Sequence, residues 1–157
     1  MMITEATIAD AAAILDLQRT AYQSEAQLYN DWSLPPLTQT LEDLRASYAG
    51  HIFLKAVVAE RIVGSVRARS EKGTCHIGRL IVHPEYQGQG IGSRLMADIE
   101  KLFPHVERFT LFTGEKSVAN IRLYRRLGYS EIKRQAISDK VVLVFMEKLN
   151  DKQESQP

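Results

Sequence analysis

Gly88, Gly90 and Gly92 alternate with other residues in HPEYQGQGIGSRLM, His83 to Met96, just before an apolar run with helical spacing. The first turn of a helix leaves N–H groups unpaired, and the macrodipole makes that end positive. Glycines add no side chains to keep an anion away from those amides. The chemistry on offer between Gln87 and Ser93 is therefore the cradling of a phosphate or pyrophosphate, with Gln87 and Gln89 as further neutral donors. A glycine-rich turn without a ligand is the other reading. A P-loop is excluded, because Ser93 and Arg94 follow the last glycine where Lys and Ser/Thr would stand. A dinucleotide fingerprint fits poorly. Counted from Gly88, its final glycine is Ser93, and PEYQ separates the run from the preceding strand, although Glu115 lies roughly where a ribose-binding acid could stand.

Other reactive residues are less suggestive. Cys75 and His76 are neighbours on a strand, so their side chains face opposite ways and do not form a nucleophile–base pair. Cys75 reads as a buried structural cysteine. The four histidines show no metal-ligand spacing, so no metal is expected. Arg122, Arg125 and Arg126 read as a basic side of one helix. The chain has 157 residues, 45% hydrophobic and 25% charged, with a net charge of +1 and one cysteine. That suits one soluble, cytoplasmic domain without a disulfide, and gives no general attraction to nucleic acid or membrane.

The elements that must position these residues follow from periodicity. Strands are expected at Ile3–Thr7, Ile52–Ala59, Ile62–Arg69, Thr74–His83, Arg108–Thr113, Tyr129–Ala136 and Val141–Lys148. Helices are expected at Ile8–Tyr22, Thr38–Tyr48, Ile91–Phe103 and Ser117–Leu127, the last stopped by Gly128. YNDWSLPPLTQT reads as a loop, because Pro35 and Pro36 fit neither a helix interior nor a central strand. The result is an α/β (α+β type) fold. It has a mixed, mostly antiparallel sheet of six to seven strands, flanked by about four helices. Residues 1–149 form the domain and 150–157 a polar, frayed tail. Strict alternation along Thr74–His83 puts His76, Gly78, Leu80 and Val82 on one face and Cys75, Ile77, Arg79, Ile81 and His83 on the other. Where two parallel strands diverge, unpartnered backbone groups can serve a ligand.

IGRLIVHPEYQGQGIG resembles the central signature of the GNAT superfamily of acyl-CoA-dependent N-acyltransferases: a strand ending in Val-x-Pro, then Gln/Arg-x-x-Gly-x-Gly/Ala opening a helix. NIRLYRRLGY supplies a second part, with Asn120, Tyr124 and Gly128 in register. The resemblance implies acetyl-CoA as donor and direct transfer of the acetyl group to a primary amine, of a small molecule before a protein. The alternative is a non-catalytic acyl-CoA-binding or sensing module. In this picture the pyrophosphate rests on Gln87, Gly88, Gln89, Gly90, Ile91, Gly92 and Ser93. The pantetheine arm pairs with Leu80, Ile81 and Val82, and an N–H near Val82 stabilises the oxyanion. Asn120 contacts the same arm from the helix face it shares with Tyr124. Tyr124 is the acid for the departing thiolate, and Arg126 reaches the 3′-phosphate.

The family often carries an acidic residue or a histidine on the central strand as base. No glutamate stands there, and His76 is the candidate. By the same analogy Tyr29, Trp32 and Leu34, with Leu37, line the acceptor pocket, and Asp31 or Glu25 would hold a cationic amine. Family members often pair through sheet edges, which allows a homodimer.

Overall fold

The computed structural model describes residues 1–151. Seven strands form one sheet: β1 (Met2–Glu5), β2 (Ile52–Val58), β3 (Arg61–Glu71), β4 (Thr74–Val82), β5 (Arg108–Gly114), β6 (Ser130–Ala136) and β7 (Val142–Leu149), in the spatial order β1-β2-β3-β4-β5-β7-β6. Two tight turns build the central meander. Ala59 and Glu60 join β2 to β3, and Lys72 and Gly73 join β3 to β4. All four have positive φ, the geometry that matches the twist of a hairpin. Every pairing is antiparallel except β4 with β5.

The parallel pair is short: Thr74, Cys75 and His76 lie opposite Arg108, Phe109 and Thr110. Past that point the two strands have no paired residues. A gap therefore opens beside Leu80, Ile81 and Val82, as expected of diverging strands.

The helices are α1 (Ala11–Ala21), α2 (Gln23–Tyr29), α3 (Pro35–Thr38), α4 (Leu41–Ser47), α5 (Ile91–Lys101) and α6 (Val118–Arg126). Ala11, Ile14 and Leu15 of α1 pack with Leu44 of α4 and Phe53 of β2 in one core. Leu95, Met96 and Ile99 of α5 and Ile121 of α6 pack with Val66, Cys75, Ile77, Phe109 and Val144 in the other. The sheet thus separates two cores, each covered by helices. Cys75 is fully buried, and burial, then Glu100, pushes its thiol up to about 12, consistent with a structural role.

Three expectations need correction. The first helix does not end the helical run at Tyr22: the chain turns there and α2 follows, closed by Asn30 in the left-handed region. The segment read as a loop contains α3, because Pro35 and Pro36 occupy its first turn, where a missing N–H leaves no bond unmade. Alternation along β4 also fails. Gly78 lies opposite Arg67 and Ile81 opposite Ser65, so three steps on β4 match two on β3. This β-bulge centres on Arg79, which has a φ of 51°. Directly opposed residues project to one face. His76, Gly78 and Ile81 therefore share the α1 face, while Cys75, Ile77 and Val82 share the α5 face. His76 does not share a face with Val82.

The sequence reading starts its polar tail at Asn150. Asn150 is buried, and its Nδ2 donates to the carbonyls of Val106 at 2.8 Å and Pro104 at 3.2 Å. The remainder of that tail, 152–157, lies outside the described residues.

Candidate active site

The glycine run enters α5 as its spacing predicts. Gly88 and Gly90 have φ of 77° and 82°, and a Cβ on either would meet open space. Left-handed backbone, rather than crowding, is what asks for glycine here. Gly90 caps α5 without a side-chain hydrogen bond. The helical ladder begins with Arg94 N–H donating to Gly90 O at 3.1 Å, so the amides of Ile91, Gly92 and Ser93 precede it. They form one end of a cleft of about 520 Å³.

The β4 edge forms the next part. His83 N–H donates to Val63 O at 2.8 Å, toward β3. Strand alternation then turns the Val82 peptide groups toward the gap. Gln87 Nε2 donates to Val82 O at 3.4 Å, which leaves the Val82 N–H facing the opening. Leu80, Ile81, Val82, Gln87, Gly88, Gly90, Ile91, Gly92 and Ser93 all line the cleft, and α6 adds Asn120 and Arg126. Gln89 is the one residue of the glycine run that is absent from this lining.

Tyr124 is buried and is not among the residues that line the cleft; its ring stands 6.1 Å from that of Tyr129 in an edge contact. Burial, and then the proximity of Tyr22 and Glu25, raises its pKa well above the usual phenol value. The hydroxyl keeps its proton and can donate it.

Of the opposite wall, sequence reasoning named Glu25 alone. Ala21, Tyr22, Ser24 and Glu25, where α1 turns into α2, line the cleft. Among the described residues Glu25 supplies its only carboxylate, and Glu25 Oε2 accepts the Ser117 hydroxyl at 2.6 Å. Only the break after Tyr22 brings this acid to the cleft, and nothing in the apolar periodicity marks that break.

The other sequence candidates lie elsewhere. His76 lies outside the cleft lining, and its Nδ1 is 3.0 Å from Thr110 Oγ1 across the short parallel pair. Burial, then Arg69, lowers its pKa. Tyr29 is 4% exposed. Its hydroxyl lies 2.8 Å from Ser117 Oγ and accepts the Lys116 N–H at 3.0 Å, which ties α2 to the β5–α6 loop. Trp32 is 56% exposed, and neither it nor Leu34 lines the cleft. Asp31 turns back on its own loop, accepting from Ser33 N at 2.9 Å.

Comparison with known proteins agrees with this geometry. A sequence profile described as the acetyltransferase (GNAT) family matches residues 11–129. A Methanocaldococcus jannaschii protein described as an uncharacterized N-acetyltransferase is 25% identical over 139 residues, covering 85% of this chain and 80% of that protein. The Bacillus subtilis UPF0157 protein YqkA is 27% identical over 127 residues, covering 81% of this chain but 36% of YqkA, so the chain spans about a third of that relative. Among solved structures, the PaiA N-acetyltransferase of Thermoplasma acidophilum in complex with coenzyme A aligns with a TM-score of 0.74 at 18% identity, covering 95% of this chain and 99% of that one. A ribosomal-protein-alanine N-acetyltransferase of Brucella melitensis aligns with a TM-score of 0.73 at 24% identity, with the same coverage.

Proposed function

The chain belongs to the GNAT acetyltransferase family, and from that premise we propose that it transfers an acetyl group directly from acetyl-CoA to the primary amine of a small molecule. The observation that carries this reading is the row of amides ahead of Arg94, opening into the gap between β4 and β5. A diphosphate fits that row, because no side chain fills the space over Gly88 and Gly90. The residues that would hold the donor are Gln87 to Ser93 at the phosphates, Leu80 to Val82 along the arm, and Asn120 and Arg126 on α6. When bound, acetyl-CoA supplies the acetyl group already activated as a thioester.

The chain's own residues divide the remaining work. The Val82 N–H is an open backbone donor for charge developing on oxygen. Tyr124 holds a proton for the leaving sulfur. Glu25 suits the role of proton acceptor for the amine better than His76 does, because Glu25 lines the cleft and His76 is engaged with Thr110.

The test is thiol release from acetyl-CoA with a panel of small amines and of peptides with a free N-terminus. Small amines are expected to be acetylated. Tyr124→Phe and Glu25→Gln are each expected to lower kcat by roughly a hundredfold, the usual scale of acid–base assistance, with little change in the Kd for acetyl-CoA. Peptides outpacing every small amine would overturn the acceptor class. Acetyl-CoA that fails to bind would overturn the whole reading, and binding without turnover would favour a sensing module.

A further inference from the structure

The β-bulge sets two guanidiniums close enough to repel one another, with no acidic partner among the described residues. Arg67 of β3 lies opposite Gly78, and Arg79 follows on the bulge itself. Arg79 Nη1 donates to Gln39 Oε1 at 3.1 Å, and the same Oε1 accepts Gln18 Nε2 at 3.0 Å. The Arg67 guanidinium carbon stands 6.0 Å from the ring centre of Phe53. Both arginines are half-buried. Neither forms an ion pair among the described residues, whereas Arg69, next along the same face of β3, bonds Glu71 at 3.1 Å. Burial and mutual repulsion lower Arg67 to about 10, and burial lowers Arg79 as well. Neither arginine lines the cleft itself, but both act electrostatically on Tyr22, which does line it and which Glu25 also reaches.

Half-buried cations without a counter-charge are costly unless a ligand supplies one. A guanidinium's planar fork matches carboxylate and phosphate oxygens. Building on the transferase reading above, we propose that the acceptor is an anionic amine: a carboxylate or phosphate on the acceptor docks at Arg67 and Arg79, while its amino group faces Glu25. The arrangement offers two cations to the acceptor's anion and one carboxylate to its amine. Donor phosphates are served from the other side of the gap by the α5 amides, so the two anions do not compete.

The experiment compares matched acceptors that differ only in the anion: β-alanine against β-alaninamide, glutamate against its diamide, and phosphoethanolamine against ethanolamine. The best anionic acceptor is expected to exceed its uncharged counterpart in kcat/KM by roughly tenfold or more, the scale of one or two charge-assisted bonds. Whether carboxylate or phosphate pairs show the larger ratio identifies the anion. In Arg67→Gln and Arg79→Gln that ratio falls toward one, and Arg79→Lys recovers part of it. Thermal melts with CoA present provide a readout without turnover. The preferred anionic amine stabilises the wild type, and the effect is lost in both Gln variants, whose own melts report whether they fold. Equal or better use of the uncharged members, or a preference that survives both Gln variants, overturns the inference. If no amine is turned over, absence of any anion-dependent stabilisation overturns it too. Failure of acetyl-CoA itself to bind is a separate result and counts against the transferase reading.

Discussion

At Gly88 and Gly90 a change of one residue tests the donor end directly. Their left-handed φ penalises any side chain by about 1–2 kcal/mol, and a β-branched one also shields the amides from a phosphate. Gly90→Val is expected to raise the KM for acetyl-CoA roughly tenfold, while kcat at saturating donor falls much less. Titration of the variant by isothermal calorimetry checks this, and unchanged affinity would remove the glycine run from the donor site. These glycines were legible in the sequence because everything they need is local: a turn, a cap and a helix start within one short stretch. Glu25 was visible only as one of two acids for a cationic amine, because its place depends on where the chain bends. Arg67 and Arg79 were not legible, since their juxtaposition requires an extra residue in the β4 ladder that no periodicity announces.

Among the elements, α2 matters most to the acceptor end and is held there by a small contact. Tyr29 fits against Gly114 so closely that a methyl group on Gly114 would overlap its phenol ring and hydroxyl. Gly114→Ala is therefore expected to push Tyr29 off Ser117 and Lys116, to free Ser117 from Glu25, and to cost about 2 kcal/mol, in line with overpacking of a full site. Thermal unfolding reads the cost. The KM for the acceptor should rise more than that for acetyl-CoA, and if both stay unchanged, α2 does not set the acceptor wall. The central strands and helices α5 and α6 were legible from their apolar periods, whereas β6 is exposed along its whole length. The break between α1 and α2 and the short helix α3 were not legible, because Tyr22 continues the apolar stripe and the paired prolines signal an interruption as readily as a beginning.

Across the molecule as a whole, burial and neighbouring arginines disfavour the protonated form of two imidazoles. His51, whose Nδ1 lies 3.0 Å from Ser47 O, is pushed below the usual histidine range by burial, then by Arg67. His76 is lowered by burial, then by Arg69. A lowered folded-state pKa means that the unfolded chain takes up protons first. The stability contributed is complete above about pH 6.5 and is lost as pH falls through the folded-state values. The melting temperature is expected to drop between pH 7.5 and 5.5, and to drop less in His51→Gln, as scanning calorimetry at fixed ionic strength would show. An identical slope in the variant would assign the effect to other groups. A mixed sheet with helices on its faces followed from the alternation of strands and helices along the chain, whereas the insertion of β7 between β5 and β6 did not.

The supernumerary residue at Arg79 has a consequence for how such a scaffold can diversify. Because it reverses the parity of β4 midway, the function proposed above would have the strand grip its energy-rich partner with one flank and inspect the incoming nucleophile with the other. Selection, natural or in the laboratory, can then rewrite the inspecting flank and the short helices above it while leaving the grip untouched, so that a new substrate preference requires no relearning of how to hold the carrier.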